Sequence, residues 1–225
     1  MKCAPWAWTK YGKRLEQPMP EMLTMFSWWT FAFSIGGNHF THTARRNINM
    51  TLVVMDNQVY GLTKKQTSPT SPLGFKSKTD AWGAVDHPIN PLKQAIAAGA
   101  TFVARTTHSN PNHVLQMMEA ALQHDGFSFI ECLSECVEFY EGAFDAANPR
   151  KGGVFNPVPP DHDVTDEVAA YKLADAAFPG CFGVFYKVSR PTKNTKEAGI
   201  SRSLREKLKG LKDWEILQKT FDKTK

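Results

Sequence analysis

From residue 33 to residue 133 the apolar positions fall into two recurring textures. Short unbroken runs stop abruptly at polar or glycine residues, and between them apolar positions return every three or four residues. The first texture suits strands buried on both faces, the second helices packed against a sheet. Phe33-Ser34-Ile35-Gly36-Gly37-Asn38-His39-Phe40 leads through His42, Ala44, Arg45 and Arg46 into a helix ending at Asn47. Residues 50–55 read as a strand, and residues 61–74 as a loop rich in Thr, Ser and Pro. Asn90-Pro91 caps a helix running through Ala98, with Gly99 as its stop. Residues 101–105 form a strand. Asn110-Pro111 caps the next helix, whose apolar positions Val114, Leu115, Met118, Ala121 and Leu122 keep the helical period. Residues 127–133 form another strand.

Beyond Cys136 the pattern weakens. Residues 140–163 are rich in Gly and Pro and read as an irregular excursion, and residues 164–177 as a helix with Thr165 as its cap. Residues 183–188 make a last strand. Leu204, Leu208, Leu211 and Phe221 line one face of a tail helix interrupted by Gly210. Alternating strands and helices at this spacing predict an α/β fold, a parallel sheet flanked by helices. Right-handed crossovers would bring Asn57, residues 106–108 and residues 134–136 to one edge of that sheet.

The chain has 225 residues, 42% hydrophobic and 22% charged, enough for a sizeable core in one large domain or two small ones. Its longest apolar-rich run, residues 22–35, is broken by Thr24, Ser27, Thr30 and Ser34. It is too short to span a bilayer comfortably and lacks the marks of a signal peptide. The expectation is a cytoplasmic protein that does not enter a membrane. Cys3, Cys132, Cys136 and Cys181 have no spaced disulfide pattern, which points to a reducing compartment. The formal charge of +5 is uneven: from Lys187 onward there are twelve Lys/Arg against five Asp/Glu, and before it fifteen against seventeen. A nucleic-acid protein would set its charge on a folded face with aromatic platforms. A solvated basic tail, or a segment docking an acidic partner, fits better here. Residues 1–31 hold four of the six tryptophans and four of the eight methionines without a sustained period. The division expected is therefore a divergent segment at 1–31, an α/β domain at 32–190 and a basic, partly helical tail at 191–225.

The run Val53-Val54-Met55-Asp56-Asn57-Gln58-Val59-Tyr60-Gly61-Leu62-Thr63 carries the most chemistry. An apolar strand that ends in Asp-Asn, then Gly, delivers oxygen donors at its carboxyl end. The Asn57 amide and the carbonyls after it suit a hard cation such as Mg²⁺, especially one bound to phosphate. The same residues would also make a strand followed by an Asx turn. Gly36-Gly37 at a helix start would let a backbone approach an anion, or simply pack helix on sheet. Taken together, the two features favour a phosphate-plus-Mg²⁺ site. His39 and His42 could share a helix face, but zinc would need a third ligand, and a hydrogen-bonded pair is the simpler account. A Rossmann GxGxxG, a P-loop and a GxSxG elbow are all missing from the sequence. No residue stands out as a general base.

These segments resemble one family. Phe33-Ser-Ile-Gly-Gly-Asn-His-Phe40, Val54-Met-Asp-Asn-Gln-Val-Tyr-Gly-Leu-Thr63, Gln66-Thr-Ser-Pro-Thr-Ser71 and Leu133-Ser-Glu-Cys136 are similar to the β subunit of 2-oxoacid:ferredoxin oxidoreductases, from about Ala32 to the C-terminus. The resemblance implies a thiamine diphosphate-binding fold, the module that takes the diphosphate end. It implies Mg²⁺ held by the Asp of a Gly-Asp-Gly motif, by an Asn that matches Asn57, and by a backbone carbonyl that matches Val59. Gly61 and Leu62 match residues lining the diphosphate, Gly36 belongs to the glycine pair beside it, and Lys64 would face the coenzyme A side. Cys136 matches a ligand of the family's [4Fe-4S] cluster. The implied activity is oxidative decarboxylation of a 2-oxoacid to its acyl-CoA, with ferredoxin taking the electrons and an α subunit completing the site.

Two departures limit the match. The family writes Gly-Asp-Gly-Asp where this chain has Trp28-Trp29-Thr30-Phe31, so the Asp ligand falls on Trp29, which cannot coordinate Mg²⁺. The family's three N-terminal cluster cysteines also have no counterpart, since Cys3 lies outside a CxxC context. A truncated or frame-shifted start would account for both. The expectation is weak Mg²⁺–thiamine diphosphate binding and no stoichiometric four-iron cluster. The alternative to an active subunit is a catalytically impaired remnant, serving at most as a subunit-interaction module. Another thiamine enzyme, a decarboxylase or carboligase, is disfavoured by the Ser68-Pro69-Thr70-Ser71 loop, the setting of Cys136 and the small size.

Overall fold

A computed structural model describes residues 30–222. The segment expected at residues 1–31 lies almost wholly outside the described residues, and with it Cys3, Trp28 and Trp29. Four strands form one sheet: β1 (Met50–Asp56), β2 (Phe102–Thr107), β3 (Phe127–Leu133) and β4 (Gly183–Lys187). Their order is β1-β3-β2-β4. β1, β3 and β2 are parallel, with Val54 and Arg105 flanking Glu131 in register. β4 runs antiparallel to β2, a departure from the all-parallel sheet expected. An antiparallel edge strand on a parallel sheet is a common way to end one, and strand direction is set by the connection before it rather than by the strand's own residues.

Alternation along the strands sends side chains to two faces. Leu52, Val54, Val103, Phe127, Phe129 and Phe185 face one side. They meet α1 (Gly37–Arg45), α2 (Pro91–Ala97) and α4 (Glu167–Leu173) through Phe40, Ala44, Leu92, Ala95, Ile96 and Ala170. Phe40 stands edge-on to Phe33, Phe127 and Phe129 at 5.4 to 5.8 Å, a geometry favoured by the ring quadrupoles. Val53, Phe102, Ala104, Ile130 and Cys132 face the other side and pack on α3 (Pro111–Leu122). In α3 the packed stripe is Val114, Met117, Met118 and Ala121, while Leu115 and Leu122 point outward, half exposed.

Side-chain caps start the helices where polar residues precede them. Asn90 Oδ1 accepts from Lys93 N at 3.1 Å and Asn110 Oδ1 from His113 N at 3.2 Å. Before α4 the cap is Asp166, not Thr165, whose hydroxyl instead donates to Asp163. The irregular stretch after β3 holds two short 3₁₀ turns, Asp145–Ala147 and Pro149–Lys151. The tail forms two helices, α5 (Lys193–Leu208) and α6 (Asp213–Asp222), with Gly210 at φ +86° between them. Asn47, at φ +48°, ends the α1 segment and ties three regions together. Its Oδ1 accepts from Thr101 Oγ1 and Phe127 N, both at 2.8 Å, and its Nδ2 donates to the Arg190 carbonyl at 2.8 Å.

Candidate functional site

The carboxyl ends of β1, β3 and β2 share one edge, as the crossovers require. Ser134 N donates to the Asp56 carbonyl at 2.8 Å and His108 N to the Leu133 carbonyl at 2.9 Å, so the three chains leave the sheet side by side. The turn after β1 is built on its own side chains. Asn57 Oδ1 accepts from Val59 N at 3.3 Å, and Asp56 Oδ1 from Gln58 N at 3.0 Å. An Asx turn is therefore present, and Gln58 sits in the left-handed region at φ +54°.

That turn does not use up the polar groups it carries. Asn57 is completely buried, and its Nδ2 has no hydrogen-bond partner among the described residues. The Val59 carbonyl accepts no hydrogen bond among them either. A buried polar group without a partner is costly, so spare capacity at such a spot points to an occupant. With Oδ1 turned to Val59 N, the amide leaves its N–H groups for an anion and one oxygen lone pair for a cation. These donors fit a Mg²⁺–diphosphate group as far as they go. The third donor implied by the resemblance would come from position 29, outside the described residues.

Val59, Gly61, Leu62 and Cys136 come together around one cleft of about 390 Å³, closed by Tyr60, Thr63, Glu138 and Phe139. A Cβ on Gly61 would lie 3.2 Å from Cys136 Sγ and 4.0 Å from Asn57 Nδ2, so glycine leaves the approach to Asn57 open. Leu62 is 94% exposed at the rim. Lys64 is exposed, at φ +63°, and lines neither this cleft nor its neighbours. Gly36 lines a different, apolar cleft with His39, Phe40 and Thr43. The two are linked through Tyr60 Oη, which donates to Ser34 Oγ at 2.8 Å. Cys132, Cys136 and Cys181 pack in three separate clusters. Among the described residues no four-cysteine iron site is assembled.

The same edge holds polar groups beyond those the resemblance assigns to the cofactor. The Ser68–Ser71 turn folds under β1: Thr70 Oγ1 donates to Asp56 Oδ1 and Ser71 Oγ to the Gln58 carbonyl, both at 2.6 Å. Asp56, Arg105 and Glu131 line a second cavity of about 460 Å³ behind that turn. Burial, then the Glu131 carboxylate, pushes the Asp56 carboxyl up to about 7, against the Thr70 hydroxyl, the Gln58 N–H and the Arg105 guanidinium, which lower it. The signal available was a charged residue inside each of two otherwise buried strands, Arg105 in β2 and Glu131 in β3.

Residues 30–132 match the family model of the thiamine pyrophosphate enzyme, C-terminal TPP binding domain. Over 122 residues the chain is 48% identical to the 2-oxoglutarate oxidoreductase subunit KorB of Mycobacterium tuberculosis, covering 54% of this chain and 32% of that one. The 2-oxoglutarate synthase subunit KorB of Methanocaldococcus jannaschii is 44% identical over 107 residues, 48% of this chain and 40% of that one. A solved 2-oxoglutarate:ferredoxin oxidoreductase from Magnetococcus marinus, with 2-oxoglutarate, coenzyme A and succinyl-CoA bound, superposes with a TM-score of 0.72 at 36% identity. It covers 83% of this chain and 63% of that one. The matched stretches thus span about a third to two fifths of these curated relatives.

Proposed function

We propose that the chain, whose residues 30–132 match the TPP-binding domain model and which is similar to β subunits of 2-oxoacid:ferredoxin oxidoreductases, is the diphosphate-binding part of such a β subunit. It would act with an α subunit on a 2-oxoacid, with coenzyme A taking the acyl group and ferredoxin the electrons. 2-Oxoglutarate is the first substrate to try, because the relatives just named carry it in their names. We place the protein in the cytoplasm; no helix among the described residues is long and apolar enough to cross a membrane.

The observation that carries this reading is the pair of unspent groups after β1, the buried Asn57 amide and the Val59 carbonyl, inside the matched segment. Asn57 Oδ1, through the lone pair that Val59 N leaves free, and the Val59 carbonyl would hold Mg²⁺, and Asn57 Nδ2 would donate to the diphosphate that the cation neutralises. Gly61 would admit the diphosphate beside Asn57, with Leu62 at the rim, Gly36 across the Ser34–Tyr60 link and Lys64 toward coenzyme A. Thiamine diphosphate, when bound, supplies the nucleophilic carbon that opens a 2-oxoacid to loss of CO₂. The chain's own residues, Asn57, Val59 and Gly61, would bind and orient the diphosphate end and so set where that carbon stands. Cys136 is the thiolate this chain would offer to a cluster, and Cys132 and Cys181, packed elsewhere, would not join it. The family model matches straight through the cofactor turn, which does not favour the alternative of a remnant that only docks.

Calorimetry of the full chain with thiamine diphosphate, with and without Mg²⁺, tests the proposal. Binding should require Mg²⁺, fall by about 10–100-fold in N57A, and strengthen in a chain carrying W28G, W29D, T30G and F31D. Absence of Mg²⁺-dependent binding in both the natural and the four-fold substituted chain would overturn it.

A further inference from the structure

The Ser68–Ser71 turn is the one sequence motif to which the proposed function gives no task. Its hydroxyls converge on Gln58, the residue between the two groups that would hold the cation. We propose that Thr70 and Ser71 are positioning residues: they hold Gln58 in its left-handed conformation and so fix the Asn57 amide and the Val59 carbonyl relative to one another.

Three hydrogen bonds make the clamp. Ser71 Oγ donates to the Gln58 carbonyl at 2.6 Å. Thr70 Oγ1 donates to Asp56 Oδ1 at 2.6 Å, and that same oxygen accepts from Gln58 N at 3.0 Å. Both backbone polar groups of Gln58 are therefore tied to the turn, one directly and one through Asp56. A glutamine at φ +54° has no Asx-type side chain to favour that region, and an L-residue enters it at a cost, so the conformation needs outside support. The support is itself rigid. Ser71 Oγ accepts from Ser68 N at 2.9 Å, and Ser71 N donates to the Ser68 carbonyl at 3.0 Å. Ser68, Thr70 and Ser71 are all buried, so water does not compete for these bonds. Left to the Asx turn alone, one 3.3 Å hydrogen bond would align Asn57 with Val59.

This inference rests on the reading of Asn57 and Val59 as cation-holding groups, so its test has one readout that needs no ligand. In the ligand-free full chain, amide exchange followed by NMR should show Gln58 and Val59 exchanging at least about tenfold faster in S71A and T70V, while Phe129 and Ile130 of β3 keep their rates. Mg²⁺-dependent thiamine diphosphate affinity should fall about tenfold in each variant and return in S71T and T70S, which restore the hydroxyls. Unchanged exchange at Gln58 and Val59 would overturn the clamp. A loosened turn with unchanged affinity would overturn its positioning role. If neither the natural chain nor the four-fold substituted chain shows Mg²⁺-dependent binding, the functional reading falls, and the clamp stands or falls on exchange alone.

Discussion

Arg105 Nε donates to Glu131 Oε2 across 2.6 Å, from one strand to its register partner on the next. Both side chains are nearly enclosed, at 10% and 2% exposure. Taking either partner away strands the other charge in the interior, which costs about 3–5 kcal/mol. R105M and E131L should each lower the urea-denaturation free energy by about that amount. The double variant should recover most of the loss, because two apolar side chains of similar volume leave no orphaned charge. Additive single losses would show that the two residues are not coupled.

His124 should make stability depend on pH below neutrality. Its ring is buried against Phe102, and burial followed by the Lys187 charge holds its pKa below the usual 6.5, with Asp125 pulling the other way. Thr101 Oγ1 spends its proton on Asn47 Oδ1, so His124 Nε2, 2.8 Å away, is the donor to Thr101, and the lowered pKa leaves the ring neutral at pH 7. The unfolded chain takes up a proton at higher pH than the folded one. The stability this residue contributes is therefore complete above about pH 6.5 and lost as pH falls through the folded value. Relative to H124Q, the urea midpoint of the natural chain should fall between pH 7 and 5. The Asp56 carboxyl, raised to about 7, takes up its proton first in the folded chain and adds stability over the same range, so the comparison with H124Q isolates the histidine. His113, whose pKa burial also lowers, contributes equally to both chains.

Gln58 offers a stability test independent of any ligand. A left-handed L-residue costs about 1–2 kcal/mol, and glycine escapes most of that. Q58G should therefore match or exceed the natural chain in thermal stability. Q58V should lose at least about 1 kcal/mol, because a β-branched side chain is least tolerated at positive φ. Thermal melts that rank valine above glycine would contradict the conformation assigned to this turn.

Cys132, inside β3, and Cys136, just beyond it, should differ sharply toward alkylation. Burial, then the Glu131 charge, pushes the Cys132 thiol up to about 12, so almost none of it is thiolate near neutrality. Cys136 lines the 390 Å³ cleft and is partly exposed. Iodoacetamide should label Cys136 in the native chain and reach Cys132 only after denaturation, as read by peptide mass spectrometry. Occupation of the cleft should slow the labelling of Cys136.

Much of this architecture was legible in the residues. The run at 127–133 became β3 with the same bounds, because it is apolar, short and enclosed on both sides. Asn90-Pro91 and Asn110-Pro111 each start a helix through the asparagine side chain, a local effect that needs no tertiary information. The sharing of one edge by Asn57, His108 and Ser134 followed from crossover handedness. What escaped notice depends on distant partners. The direction of β4 is set by the irregular stretch before it. Leu115 and Leu122 keep the helical period yet face outward, since period alone does not say where a sheet ends. The bonds from Thr70 to Asp56 and from Ser71 to Gln58 join residues 14 and 13 apart across a loop with no repeating pattern. Cys136 and Gly61 meet only because their strands are neighbours.

The reversal of β4 sets the start of the basic tail at the opposite end of the sheet from the turn after β1. Because β4 begins opposite Arg105 and ends opposite Phe102, the chain is carried back to the amino ends of the parallel strands before its basic stretch begins. There Lys193 N donates to the Asn47 carbonyl, and α5 departs. A seven-residue strand separates that point from Asn57, roughly 20 Å at the usual rise. Physiological salt damps a field over about 8 Å. The positive charge where the tail sets out is thus more than two screening lengths from the turn after β1, and an anion bound there would feel its immediate dipoles and its cation, and little of the tail's first charges.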